Sequence, residues 1–375
     1  MFKKITSVFI LVLSIVACSS SDDATSGSGS SADGFNRQSM LINWADTIII
    51  PVYQDLNSQL AGLVTAKNTF NAEPNQVNLD AFRASWLNAY KVWQYAEMFD
   101  IGQAETINYY SQMNIYPASV IEIENNIASG TYDLSHPNNQ DAVGFPALDY
   151  MLYGVGASSD MDILAIYTTN ANADKYRNHV SDLVEQMKTL TQSVLTNWTS
   201  VYRDQFVGST ANTATSSTNK LTNDFIFYYE KGLRANKIGI PAGVFSTNPL
   251  PTKTEAFYRG DVSKELALTA LDAVQDFFNG KAYKSNATGA SFKQYLQYLN
   301  TVKNGEDLDV IINNQINVAR TNIQGLNANF TEQITSNNAQ MTDAYNELQK
   351  VVVLIKLDMV QSMNIRVDYV DADGD

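Results

Sequence analysis

The sequence predicts an all-α protein made of two helical-bundle halves with a short strand-like tail at the C-terminus. Apolar residues recur at helical spacing, as in Leu183, Met187, Leu190, Val194 and Trp198, and again in Leu348, Val352, Ile355, Met359 and Met363. Alternating strand patterns are nearly absent, and the best of them is IRVDYV over 365–370. The uncharged stretch GSTANTATSST, 208–218, divides the helical segments into halves at 35–207 and 219–375, although a long surface loop within one domain would read the same way. The chain is also longer than one core usually fills.

The N-terminal element, MFKKITSVFILVLSIVA, has a basic start at Lys3 and Lys4, an apolar run from Val8 to Val16 and a small residue before Cys18. These features predict a secretory signal peptide over 1–17, with an apolar run too short to span a bilayer. IVAC is similar to the lipobox of bacterial lipoproteins, so Cys18 is the expected lipidation site and 18–34, rich in Ser, Asp and Gly, the flexible tether behind it. Asp22 and Asp23 resemble the signal that sends some lipoproteins to the surface of the outer membrane. The expected location is therefore the cell envelope, as an outer-membrane lipoprotein exposed at the surface. Cys18 is the only cysteine, which excludes disulfides and cysteine-based metal sites. The net charge of −14 becomes more negative when Lys3 and Lys4 leave with the leader. Such a surface disfavours nucleic acid as a partner.

Within the first half, Leu41, Trp44 and Ile48 start a stripe that Val52, Leu56, Leu60 and Leu63 continue. Pro51 lies between them and should kink or divide the helix. In the next helix, 82–99, Phe82, Trp86, Tyr90, Trp93 and Glu97 share one face, so a carboxylate continues an aromatic core stripe. Burying it is costly unless it is paired or bound to a cation, and the alternative is that Glu97 turns to solvent or an arginine at the helix end. DAVGFPALDYMLYG, 141–154, reads as a short apolar helix between Gly144 and Gly154 with Pro146 and Asp149 on its first turn. Proline suits a first turn, and an aspartate there is favoured by the helix dipole.

The sequence carries no HExxH, GxSxG or Walker motif, and its two histidines, His136 and His179, read as solvated surface residues. Glu255 is open to a cap or a pair with Arg259, and Asp358 to a salt bridge between helices. The tail DYVDADGD is similar to a calcium loop, but an EF-hand register would begin on Tyr369 and no closing glutamate follows.

Four of these stretches, in order, resemble the imelysin family of bacterial envelope proteins: WLNAYKVWQYAEMFDIG, GFPALDYMLYG, IPAGVFSTNPLPTKTEAFYRG and LIKLDMVQSMNIRVDYVDADGD, the last being very like the ending of its Bacteroidetes members. The resemblance implies two bundle-like halves with the family's GxHxxE signature where they meet, and a connection with iron acquisition. In this chain the motif is Gly144, Pro146 and Asp149: proline replaces the histidine, and aspartate the glutamate. The expected role is a lipid-anchored binding component in iron or metal acquisition, with Glu97, Asp149, Glu255 and Asp358 lining a pocket between the bundles. An all-oxygen set of this kind suits ferric iron or calcium better than zinc. The expected partners are the membrane, through the lipid, and an outer-membrane uptake receptor. The alternatives are a metallopeptidase of the imelysin type, which the altered motif disfavours, and a purely structural partner of an outer-membrane receptor.

Overall fold

A nearly continuous helix opens the fold, running as Arg37–Asn43, a π-helical segment Trp44–Ile49, and α1, Ile50–Ala72. The structure, a computed structural model, describes residues 33–156 and 159–367. The expected signal peptide, Cys18, Asp22, Asp23 and the calcium-like tail lie outside the described residues. Pro51 does not break this helix. Its missing N–H takes away the Thr47 carbonyl's donor four residues on, and the Tyr283 amide donates to that oxygen at 2.9 Å. The wider π turn just before it, in which Ile50 N–H reaches back to the Ala45 carbonyl, accommodates the ring.

Helix α2, Gln76–Ala96, starts where the Asn75 side chain accepts from the Asn78 amide. It packs against α1, which also packs against the helix Ala173–Asn197. The signature segment forms α3, Gly144–Asp149, followed by a π turn, Tyr150–Gly154. Ala173–Asn197 is α4 and Ser217–Phe227 is α5, the latter capped by Ser216. A long π-helical segment, Tyr228–Gly239, continues directly from α5. Helices α6, Ser263–Phe278, α7, Leu308–Gln324, and α8, Phe330–Val353, complete the body. The only sheet among the described residues is a hairpin pairing Val302 with Asp307 and Lys303 with Glu306. Residues 365–367 adopt no regular structure, so the described part of the strand-like tail is not a strand.

The stretch 208–218 connects the end of the helix Arg203–Gly208 to α5, and Asn212 within it donates to the Met363 carbonyl at 3.1 Å. Elements on both sides of it share one hydrophobic core. Trp44 packs its ring 5.1 Å from Phe277 and 4.7 Å from Phe292, and α2 packs on α6, so the opening helices sit against elements from the far end of the sequence. No helix among the described residues is long and apolar enough to cross a membrane.

Candidate functional site

The aromatic stripe of α2 lies inside the core as expected, with Phe82, Trp86, Tyr90 and Trp93 buried. Its last member, Glu97, is the residue at which the helix ends, yet it is only 4 % exposed and turns neither to solvent nor to an arginine. Its partner is Lys237, on the π-helical segment, whose Nζ lies 3.3 Å from Glu97 Oε2. The same ammonium lies 2.8 Å from both carboxylate oxygens of Glu255. Lys237 and Glu255 are each within 2 % of full burial, which leaves charge pairing and hydrogen bonding as their compensation for lost hydration.

Neutral side chains complete the set. Asn114 Nδ2 donates to Glu97 Oε1 at 2.7 Å and to Glu255 Oε1 at 3.0 Å, and the Asn114 side-chain oxygen accepts from Tyr90 OH at 2.6 Å. Tyr228 OH donates to Glu97 Oε2 at 3.1 Å, and Gln94 Nε2 donates to Glu255 Oε1 at 3.3 Å. Desolvation lifts the Glu97 pKa above the usual carboxylate range, with Lys237 opposing and Glu255 adding to it. Burial works against the Lys237 charge, but Glu255 and then Glu97 hold its pKa above the ordinary lysine value. Two carboxylates share one ammonium, which sits closer to Glu255 than to Glu97. Burial keeps Tyr90 and Tyr228 protonated and available as donors.

Asp149 lies outside this cluster and does not act on the dipole of its own helix. Its two carboxylate oxygens accept the backbone amides of Tyr258, at 2.8 Å, and Arg259, at 2.9 Å. Burial pushes its pKa up to about 7, against the pull of those two amides and of Arg259. The amides belong to the turn that carries Glu255, so the signature segment fixes the backbone next to the cluster. Gly144 is required by its surroundings: φ is +71°, and a Cβ there would lie 2.1 Å from the Met113 carbonyl oxygen. Pro146, on the first turn of α3, is buried and has no side-chain donor or acceptor.

The remaining sequence candidates separate. Asp358 pairs with Lys303 at the surface hairpin and does not join the cluster. Glu255 does not pair with Arg259, which binds Asp261 instead at 2.9 Å. His136 is exposed and its ring accepts from the Asn138 amide. His179, expected at the surface, is fully buried, with neither ring nitrogen hydrogen-bonded among the described residues. Desolvation lowers its pKa to about 4, and the Tyr132 ring covers it edge-on at 4.9 Å.

Of the four expected ligands, then, only Glu97 and Glu255 meet, and Lys237 answers their charge. Ferric iron or calcium needs about six oxygen donors, a set these residues do not supply. Among the described residues no group of three or more histidine, cysteine, aspartate or glutamate side chains is placed to hold a metal ion. Lys237, Asn114, Tyr228 and Gln94 are the partners that sequence reasoning missed.

Two solved structures share this architecture. One is an imelysin-like protein from Psychrobacter arcticum, with a TM-score of 0.68 and 17 % identity, covering 88 % of this chain and 96 % of the other. The second, assigned as an iron-regulated protein A precursor from Parabacteroides distasonis, has a TM-score of 0.69 and 16 % identity, covering 86 % and 94 % respectively. No curated protein matches the sequence. The family model described as imelysin, peptidase M75, matches residues 49–356, a span that includes α2, the signature helix and the turn bearing Glu255. With that match over most of its length, the chain belongs to the imelysin family.

Proposed function

We propose that this chain is a lipid-anchored protein of the cell envelope, sorted to the outer membrane, that serves as a binding component in iron or other metal acquisition and does not hydrolyse peptides. One observation carries the choice of binding over hydrolysis: the paired carboxylates Glu97 and Glu255 are closed by the Lys237 ammonium. A metallopeptidase needs protein ligands around a metal with one position open to water. Here the motif's imidazole position is Pro146, and Asp149 is committed to two backbone amides. The link to iron is supported by the assignment of the Parabacteroides structure as an iron-regulated protein. The anchor is supported by the leader and Cys18, and a rigid helical body on a tether suits docking to an outer-membrane uptake receptor.

The reading is tested by measuring radiolabelled iron uptake in iron-limited cells that carry the wild type, a deletion or Cys18→Ala. The wild type is expected in the detergent phase and supports uptake, whereas the deletion lowers uptake and Cys18→Ala, found in the soluble fraction, does not restore it. Equal uptake in all three strains overturns the iron role. Chelator-sensitive cleavage of casein by the purified protein overturns the non-hydrolytic reading.

A further inference from the structure

Asparagine precedes glycine twice in the sequence, at Asn279–Gly280 and at Asn304–Gly305, and the fold treats the two pairs in opposite ways. The first is locked. Asn279, half-buried where α6 ends, exchanges amide hydrogen bonds with Asn313: its Nδ2 donates to Asn313 Oδ1 at 2.8 Å, and Asn313 Nδ2 donates to its Oδ1 at 3.0 Å. The Gly280 amide donates to the Phe277 carbonyl at 3.0 Å, while the Gly280 carbonyl accepts from the Gly289 amide at 2.9 Å and from Asn43 Nδ2 at 3.1 Å. The Asn279 side chain and the Gly280 amide can approach each other only by giving up these bonds.

The second pair forms the turn of the surface hairpin, with φ of +55° at Asn304 and +86° at Gly305, the combination that a tight hairpin turn favours. Both residues are exposed, and the Asn304 side chain makes no hydrogen bond among the described residues. A Cβ on Gly305 would meet nothing within 4 Å, so its backbone is open to solvent base. The strands on either side, Val302–Lys303 and Glu306–Asp307, are 2 residues each, too short to hold the turn against local opening. We propose that Asn304 is a site of spontaneous deamidation, with water as the co-reactant. The Gly305 amide nitrogen attacks Asn304 Cγ: the N–Cγ bond forms, the Cγ–Nδ2 bond breaks, and the amide proton passes through solvent to the departing nitrogen, which leaves as ammonia. Water then opens the cyclic imide, at the side-chain carbonyl to give aspartate or at the main-chain carbonyl to give isoaspartate. Either product sets a new carboxylate next to Lys303, whose ammonium pairs with Asp358. Isoaspartate also lengthens the backbone between the paired residues Lys303 and Glu306, which disturbs their register. The inference does not depend on the iron reading.

The test holds the purified, folded full chain at mildly alkaline pH in heavy-oxygen water, digests it in ordinary water and maps the peptides by mass spectrometry, so that only conversion before digestion carries the label. Labelled aspartate and isoaspartate are both expected at Asn304, formed at least about tenfold faster than at Asn279, because the two sites differ in the local opening they require. In urea, where the fold no longer separates the pairs, the two rates should agree within about threefold. The proposal is overturned by no labelled product at Asn304, or by Asn279 converting at a comparable rate in the folded chain. It is equally overturned by labelled aspartate without isoaspartate, which means direct hydrolysis of the side chain, or by a difference between the two sites that persists in urea.

Discussion

Replacing Lys237 by methionine keeps the length and most of the apolar stem of the side chain while deleting the ammonium between Glu97 and Glu255. In the wild type that ammonium sits at 2.8, 2.8 and 3.3 Å from carboxylate oxygens that have lost their water. Without it, the remaining donors to the two carboxylates are neutral: Asn114, Gln94 and Tyr228. Removing one partner of a buried ionic group typically costs about 3–5 kcal/mol, and Lys237→Met is expected to lose that much in urea denaturation at pH 8, followed by far-ultraviolet circular dichroism. The loss must depend on pH in a definite direction. Glu97 already has a folded-state pKa above its unfolded value, and deleting the cation raises it further. The folded variant therefore binds a proton that the unfolded chain releases. Its stability is greatest below the unfolded carboxylate pKa and declines as pH rises through the folded pKa, by about 1.4 kcal/mol per pH unit per proton. Lys237→Met should thus recover part of its loss between pH 8 and pH 5. Combining it with Glu97→Gln and Glu255→Gln should restore most of the rest, since neutral residues of similar shape carry no uncompensated charge. A loss below about 1 kcal/mol at pH 8, or one independent of pH, would refute the account of Lys237 as the charge partner of both carboxylates.

Asp149→Asn turns one amide-accepting oxygen into a donor facing a donor, and should cost about 1–3 kcal/mol in thermal melts. Because burial raises Asp149 to about 7, its carboxyl contributes stability fully below the unfolded value near 3.8 and loses it as pH rises through 7, so the asparagine variant should lack that slope. His179 acts with the opposite sign: its pKa is depressed from 6.5 to about 4, so stability is lost as pH falls through that window, by about 3 kcal/mol for the whole shift. Acid titration of His179→Leu, monitored by tryptophan fluorescence, should show that loss abolished, and an unchanged acid midpoint would contradict the buried neutral imidazole. Gly144→Ala sets a side chain at positive φ against the Met113 carbonyl and should lower stability by about 3 kcal/mol or more, measured by the urea midpoint.

The helical stripes were legible because they are local, and α2 is the clearest case: the spacing of Phe82, Trp86, Tyr90 and Trp93 dictates which face is buried whatever packs against it. The same stripe marked Glu97 as a carboxylate in need of a partner, but the partner comes from a segment whose own pattern misleads. In YYEKGLRANKIG, Glu230, Arg234 and Lys237 recur at spacings of four and three, which reads as a solvated charged face. The fold buries all three, through pairings with Lys356, Tyr345 and Glu255 that no local pattern encodes. His179 was misread for a different reason, since it stands four residues before Leu183 and so belongs to that helix's core stripe, a signal present in the sequence.

Asp149 shows how a motif position can matter without supplying a ligand. Its carboxylate grips Tyr258 N–H and Arg259 N–H, while Ser263 Oγ donates to the carbonyls of Glu255, at 3.0 Å, and Gly260, at 2.9 Å. The turn between them includes Ala256 and Gly260 at positive φ, so its path is not one the chain adopts without support. Trp86 Nε1 donates to the Phe145 carbonyl at 3.2 Å, and Tyr90 stacks on the Phe145 ring at 4.4 Å. Helix α2 therefore holds α3, α3 holds the turn through Asp149, and the turn presents Glu255 to the ammonium that also faces Glu97 on α2. This closed circuit of packing and hydrogen bonds makes Asp149 a positioning residue for the buried ionic cluster, a role that needs no imidazole at Pro146.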